Sequence, residues 1–128
     1  MDPKPILCLD FDGVCHSYTS GWKGADVIPD LPVPGMWDFL ETAVLKFDVH
    51  IYSSRSHQPG GIEAMRNWFL FHAYTWCRID IATKHLKFPT EKPPALITLD
   101  DRAITFDGTW PHPDELLAFK PWNLRGEF

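Results

Sequence analysis

With 128 residues, 45% of them hydrophobic, the chain is long enough for one domain with a hydrophobic core and too apolar for a disordered segment. Its net charge of -5 argues against broad binding to nucleic acid or to a membrane surface, because both need a basic field. The three cysteines share no Cys-x-x-Cys spacing, so neither a disulfide framework nor a structural zinc site is expected, and a reduced, cytoplasmic protein is favoured.

The first predicted strand begins within a few residues of Met1, which predicts no signal peptide ahead of it. No apolar stretch approaches the length of a membrane span, so no membrane partner is expected. We therefore expect a single domain over residues 1–128.

That first strand is the apolar run 6–9, which ends in Asp10-Phe11-Asp12-Gly13. A short apolar run before turn residues is typical of a buried strand, and ligands bind at the carboxyl ends of strands in open α/β sheets. Two carboxylates this close repel each other unless a cation holds them, and Mg²⁺ prefers such oxygen ligands. The alternative, an Asp-Gly turn after an edge strand, explains Asp12 and Gly13 but not the charge at Asp10.

The next elements predict a strand–helix–strand unit. Residues 15–34, rich in Gly, Pro, Ser and Asp, are expected to form a loop or small hairpin, called the flap below. An amphipathic helix follows, with apolar side chains at Met36, Leu40, Ala43, Val44 and Phe47. Residues 48–54 predict a second strand, and the helical crossover makes the two strands parallel. Ser53 and Ser54 should then lie beside Asp10.

A second helix is predicted over 62–76, with an apolar stripe formed by Ile62, Met65, Phe69, Ala73 and Trp76. Trp68 and Phe71 lie partly outside this stripe. Core packing is the favoured interpretation of so wide an apolar face, with a partner surface as the alternative. Residues 77–83 could form a short strand in which Ile79 and Ile81 alternate, and residues 84–94 a basic, proline-containing connection.

Residues 95–99 predict a third buried strand, which also ends in carboxylates, Asp100 and Asp101. The C-terminal stretches comprise a predicted short strand over 103–106, a helix over 113–119 begun by proline and acidic residues, and residues 120–128, which show no usable pattern.

These strand endings, in this order, resemble the four motifs of the haloacid dehalogenase superfamily of phosphotransferases. The first motif, an apolar strand running into Asp-x-Asp-Gly-Val, is matched by residues 7–14. The second, a strand ending in Ser or Thr, is matched by 49–53, and the fourth, a strand ending in paired aspartates, by 96–101. The resemblance covers roughly residues 5–107, and residues 92–104 look like the small capless members found in bacteria and phages.

The resemblance implies a Rossmann-like three-layer α/β sandwich with a mainly parallel sheet, and a magnesium-dependent phosphatase that forms an aspartyl-phosphate intermediate. Asp10 would be the nucleophile, Asp12 the acid and base, and Ser53 a hydrogen-bond donor to a phosphoryl oxygen, with Ser54 as the alternative. A catalytically idle binding or regulatory module and a phosphotransferase with an alcohol acceptor are the competing hypotheses. Since the superfamily's carbon–halogen enzymes lack the acid at the position of Asp12, phosphoester hydrolysis is favoured over dehalogenation.

The same resemblance implies how Mg²⁺ would be held. Its ligands would be the Asp10 carboxylate, the Asp12 backbone carbonyl and Asp100, with Asp101 acting through water. The third motif is a lysine, and Lys92 is the first choice because it directly precedes the fourth-motif strand; Lys84 and Lys87 are the alternatives.

Several other side chains lie near these motifs. Arg55 could bind the substrate or pair with a structural carboxylate. His57 is expected to be a loop residue, and Cys15 and His16 to belong to the flap. Arg102 could orient Asp101 or point to solvent.

The intervals between the motifs are too short for a cap domain, so the site should be open to water and to large substrates. The expected partner is a phosphorylated small molecule, enclosed by a homo-oligomer partner, or the phosphorylated end of a macromolecule. The acidic net charge argues against extended nucleic-acid binding.

Overall fold

Four short parallel strands form the sheet of this computed structural model, which describes residues 3–124. The strands are β1 (Ile6–Leu9), β2 (Asp48–Ile51), β3 (Leu86–Lys87) and β4 (Ile97–Leu99), in the spatial order β3-β2-β1-β4. All three pairings are parallel. The predicted α/β class with a parallel sheet is confirmed, and a three-layer sandwich is compatible with this topology.

Four α-helices connect and follow the strands: α1 (Met36–Lys46), α2 (Gly61–Trp76), α3 (Ile79–Lys84) and α4 (Pro113–Leu117). Two 3₁₀ turns cover Ser54–His57 and Trp122–Leu124. Helices α1, α2 and α4 match the predicted ones, and α4 begins with proline and acidic residues as expected. No helix in the described part of the chain is long and apolar enough to cross a membrane.

The hydrophobic core lies between the sheet and α1–α3. Alternate residues of β1 and β2, such as Leu9 and Ile51, are buried against Leu40 of α1 and Phe69 of α2. Because β1 is central in the sheet and buried, the residues that follow it are held at a fixed place on the sheet's carboxyl edge.

The prediction for α2 needs one correction. Trp76 was placed on the buried stripe, but it is 61% exposed, whereas Trp68 is buried. Trp68 packs edge-on against Phe11, and its indole N–H donates to the Asp30 carbonyl of the flap at 3.0 Å. A stripe read from helical spacing alone does not include this contact, since it depends on where the flap lies.

The predicted strand over 77–83 is wrong, because this segment contains helix α3. Cys77 has a left-handed backbone (φ 57°) that ends α2, and the chain then turns into α3, which buries Ile81 against the core. Strand β3, inside the predicted connection over 84–94, was missed because only two residues form it.

Strand β4 and the segment that follows it are also more exposed than predicted. Strand β4 is at the edge of the sheet, where β1 is its partner, and its residues are exposed, Ile97 by 51%. The description of 95–99 as a buried strand is therefore wrong about burial, and the strand predicted over 103–106 is absent. Apolar composition predicted both, but no element described by the structure covers this edge.

Candidate functional site

The carboxyl ends of the three predicted motif strands meet at one edge of the sheet. Leu9 at the end of β1 pairs with Ile51 of β2 on one side and Leu99 of β4 on the other. The Asp10 N–H continues the ladder by donating to the Leu99 carbonyl at 3.0 Å, and the Tyr52 N–H donates to Leu9 at 3.1 Å. The parallel register therefore places the residues after each strand side by side.

A cavity of about 220 Å³ opens at this edge. Five of the predicted site residues line it, each after a strand or in a connection: Asp10, Ser53, Ser54, Lys92 and Asp100. The other lining residues are Cys8, Tyr52 and Thr98. Cys8, Tyr52 and Thr98 were not predicted as site residues, although their positions in or after the motif strands could have indicated them.

Three carboxylates form a cluster beside this cavity. Asp10, Asp100 and Asp101 each bring one oxygen to within 4.8 Å of the others. The Asp101 side chain is only 2% exposed, and its buried Oδ1 accepts no hydrogen bond within the described chain. Since an anionic oxygen buried without a partner is costly, this atom is a position for a cation or a water molecule.

Gly13 allows this cluster to lie close to β1. Its backbone is left-handed (φ 85°), and a Cβ at this position would collide with the Asp101 carboxylate. Gly13 therefore lets the chain turn after the first strand and also leaves room for the Asp101 carboxylate.

The surroundings of Asp10 disfavour its charged form. Burial, together with the negative charge of Asp100 and a hydrogen bond to Asp101, raises the pKa of Asp10 to about 8. A backbone N–H from Phe11, at 2.8 Å from Oδ1, acts in the opposite direction. A bound cation would favour the ionised carboxylate, because it attracts the charge that the neighbouring aspartates repel.

Asp12 lies in contrasting surroundings. The Arg55 Nε donates to its Oδ2 at 2.9 Å and the Arg55 Nη2 to its Oδ1 at 3.1 Å. His16 Nδ1 is 2.9 Å from the same Oδ1. Burial alone would raise the pKa of Asp12, but the hydrogen bonds from His16 and Arg55 and the Arg55 charge outweigh it and lower the pKa.

The hydrogen bonds of His16 assign its tautomer. Its Nε2 accepts the backbone N–H of Asp30 at 3.1 Å, so in the neutral ring the proton lies on Nδ1 and is donated to Asp12. The ring is fully buried and stacks on Phe11 at 5.5 Å between centroids. The sequence interpretation placed His16 in the flap but missed its contact with Asp12, which the i,i+4 spacing of the two residues could have suggested.

The Arg55 side chain is buried and hydrogen-bonded to both Asp12 and the flap. It is 0% exposed, and its Nη1 donates to the flap carbonyls of Gly24 and Ala25 at 2.8 and 2.9 Å. Of the two roles considered for Arg55, this geometry favours pairing with a carboxylate over contact with a substrate.

The two serines differ in what they offer. Ser53 is buried, and its Oγ accepts the Arg55 backbone N–H at 3.1 Å, which caps the 3₁₀ turn. Its hydroxyl proton is directed toward Met65 Sδ at 3.6 Å. Ser54 is exposed at the cavity wall. Both assigned positions are therefore in the cavity, with Ser54 the more accessible.

Of the three candidate lysines, Lys92 is the one that lines the cavity. Lys84 pairs with Asp80 at 3.6 Å, and Lys87 pairs with Asp48 at 3.1 Å. Lys87 pairs with His50 in the sheet, and its ammonium reaches back to Asp48, the first residue of β2, away from the carboxylate cluster. Of the three lysines, the geometry therefore favours Lys92 as the one that belongs to the cavity.

The remaining predicted side chains have local partners. His57 Nε2 lies 2.6 Å from the Tyr52 hydroxyl, and Arg102 Nε lies 3.5 Å from Asp101 Oδ2, the orienting alternative for that arginine. Cys15 is buried with its Sγ 3.5 Å from the Asp10 carbonyl.

The C-terminal segment also reaches the site. The Trp122 indole N–H donates to the Gly13 carbonyl at 2.7 Å, which connects the last described turn to the loop after β1. This contact was not predicted, because residues 120–128 show no pattern, and of these residues 125–128 lie outside the described part of the chain.

The donor set fits the magnesium ion that the motif resemblance implies. All three side chains offer carboxylate oxygens, which are hard ligands, and the buried Asp101 Oδ1 has no hydrogen-bond partner among residues 3–124. The Asp12 carboxylate is not part of this cluster, and the contact through the Asp12 backbone carbonyl stays a prediction.

A larger cavity of about 690 Å³ lies between the flap and α2 and is lined by residues such as Asp26, Glu63 and His72. It contains none of the motif residues. Because the converging strand ends, the carboxylate cluster and Lys92 all lie at the smaller cavity, we take the smaller cavity as the functional site.

Comparisons with known proteins add no identification. No model of a protein family matches the chain, and no curated protein or solved structure matches it.

Proposed function

We propose that this protein is a magnesium-dependent phosphatase that hydrolyses a phosphomonoester through an aspartyl-phosphate. One observation carries the proposal: Asp10, Ser53, Lys92 and Asp100, drawn from four separate segments, line one cavity beside a cluster of three carboxylates. A structural role for any one of these residues would not require the other three at the same place.

In the proposed reaction, Asp10 attacks the phosphorus atom and the bond from phosphorus to the leaving-group oxygen breaks. The leaving oxygen takes a proton from Asp12, which has to carry that proton against the contacts of Arg55 and His16 that lower its pKa. The ionised Asp12 then accepts a proton from a water molecule that attacks the aspartyl-phosphate, and the bond between Asp10 and phosphorus breaks to release phosphate. Asp10 and Asp12 return to their starting states.

Asp10, Asp100 and the Asp12 carbonyl would hold magnesium, with Asp101 acting through water, and the ion would supply positive charge that offsets the carboxylates and the phosphoryl group. Lys92, which lines the same cavity, would add a second positive charge. Ser54, or Ser53 after a change in its hydroxyl rotamer, would donate to a phosphoryl oxygen.

The cavity leaves the chemical class of the leaving group open, because no inserted domain encloses it. Between β1 and β2 the described chain contains the flap and α1, and between β2 and β3 it contains the 3₁₀ turn, α2 and α3. We propose that the site is open to solvent. We also propose that the protein works in a reducing, cytoplasmic compartment, in keeping with its three free cysteines.

Hydrolysis of p-nitrophenyl phosphate with Mg²⁺ and with EDTA tests this proposal, followed by a broad panel of phosphoesters. We expect turnover that requires the metal and is abolished in Asp10→Asn. Asp107→Asn is the matched control, since Asp107 is an exposed aspartate whose carboxylate accepts a local N–H from Thr109. Activity in EDTA, or an unimpaired Asp10→Asn enzyme, would contradict the mechanism, and no turnover across the panel would favour the binding module.

A further inference from the structure

The Arg55 guanidinium joins two parts of the protein that are far apart in sequence. On one side it donates from Nε and Nη2 to both carboxylate oxygens of Asp12. On the other side its Nη1 donates to the carbonyls of Gly24, Ala25 and Val27, at 2.8, 2.9 and 3.3 Å. A fork of this shape can hold a carboxylate and a loop at once, which a lysine ammonium cannot do with the same geometry.

Further contacts hold the backbone and the guanidinium of Arg55 in place. Its backbone N–H is fixed by the Ser53 hydroxyl, and its carbonyl occupies the space in which Gly61 would carry a Cβ. The Trp22 ring of the flap lies over the guanidinium at 4.7 Å, and the Phe11 ring lies 5.9 Å from it. Arg55 is therefore in contact with the flap and with Asp12 at the same time.

We infer that Arg55 is a positioning residue that couples the flap segment 24–27 to the orientation of the Asp12 carboxylate. The inference has two parts. The catalytic part, that the position of the flap sets whether Asp12 is aligned for proton transfer, rests on the proposed function. The structural part, the coupling between the flap and the Asp12 carboxylate, does not depend on any activity.

The catalytic part is tested with Arg55→Lys on two aryl phosphates of similar shape, p-nitrophenyl phosphate and phenyl phosphate. The phenolate leaving group needs protonation more than nitrophenolate does, so misalignment of Asp12 should penalise phenyl phosphate more. We expect kcat for phenyl phosphate to fall about tenfold further than kcat for p-nitrophenyl phosphate, with KM little changed. An equal fall on both substrates would indicate a structural role only and overturn the inference.

Two further variants guard against a folding defect in Arg55→Lys. Trp22→Leu removes a half-exposed ring from the guanidinium and should show the same leaving-group preference at a smaller size. Arg78→Lys is the control, because Arg78 also pairs with a carboxylate, Glu41 at 3.1 Å, but away from the site. A leaving-group effect of equal size in Arg78→Lys would contradict the assignment.

Amide hydrogen exchange tests the coupling without any substrate. The Val27 N–H donates to the Gly24 carbonyl inside the flap, so its exchange reports flap opening. We expect this amide to exchange about tenfold faster in Asp12→Ala than in the wild type, and unchanged in Asp107→Ala. Unchanged exchange in Asp12→Ala would disprove the coupling. If neither aryl phosphate is hydrolysed by the wild type, the proposed function fails while this measurement still decides the coupling.

Discussion

Asp10 and Asp12 are two residues apart, yet the protein surrounds them in opposite ways. Asp12 meets the buried cation Arg55 and the ring N–H of His16, whereas Asp10 meets the carboxylates of Asp100 and Asp101. The pKa of Asp12 is accordingly lowered, and burial and like charge raise the pKa of Asp10 to about 8. The charged form of Asp12 is therefore stabilised by neighbouring side chains, whereas that of Asp10 is disfavoured by them.

This difference arises in the single turn that follows β1. The Phe11 carbonyl accepts the backbone N–H groups of Cys15 and His16, which brings the His16 ring back to Asp12. Asp10, one residue past β1, remains in line with the strand and faces the end of β4. A turn of this kind places two neighbouring acids in two environments, one that stabilises the charged carboxylate and one that disfavours it.

The largest expected effect concerns Lys92, the lysine that lines the same cavity as Asp10. Lys92→Ala should lower phosphatase activity by about 100-fold, because it removes a positive charge from the cavity that Asp10 and Asp100 also line. Steady-state kinetics with p-nitrophenyl phosphate and saturating Mg²⁺ measure it. Lys84→Ala is the matched control, since Lys84 pairs with Asp80 on the surface of α3. If only Lys84→Ala loses activity, the assignment of Lys92 is wrong.

A smaller effect should appear in the pH dependence of stability. Asp10 has a raised folded-state pKa, so its contribution is fully present at acid pH and is lost as the pH rises towards about 8. Asp12 has a lowered pKa, so its contribution is present above its ordinary range and is lost only when the pH falls below it. In EDTA, the free energy of unfolding should therefore decline between about pH 4 and 8, by at most about 1.4 kcal/mol per pH unit.

Urea denaturation of the wild type and Asp10→Asn at several pH values checks this expectation. The difference between the two proteins isolates the contribution of Asp10 from that of the other titratable groups. Saturating Mg²⁺ should remove the decline, because the cation favours ionised carboxylates. A decline of equal slope in Asp10→Asn would show that Asp10 is not its source.

The surroundings of Asp10 were easier to predict from the sequence than those of Asp12. Strand runs and the residues after them placed Asp10, Ser53 and Asp100 at one sheet edge, because parallel strands align their carboxyl ends. The partners of Asp12 could not be predicted in the same way. Arg55 contacts Asp12 and the flap carbonyls together, and the position of an irregular loop does not follow from periodicity.

The failures of prediction in the fold have a related cause. Ile79 and Ile81 alternate as in a strand, but the left-handed Cys77 and the packing of Ile81 against the core select a helix. The apolar residues of β4 and of 103–106 predicted burial, which depends on a covering element that their own sequence does not specify. Local patterns therefore predicted the central strands well and the periphery poorly.

The smallest expected effect tests how the turn between the two carboxylates is held from outside. Trp122→Phe keeps the ring but loses the hydrogen bond to the Gly13 carbonyl, so it should lower the free energy of unfolding by about 1 kcal/mol. Because Gly13 contacts Asp101, the variant should also weaken Mg²⁺ binding slightly, measured by calorimetry, while Trp110→Phe, at an 84% exposed position, should change neither quantity. Loss of stability without any change in Mg²⁺ affinity would mean that the C-terminal turn supports the fold but not the carboxylate cluster, and that the cluster is positioned by β1 and β4 alone.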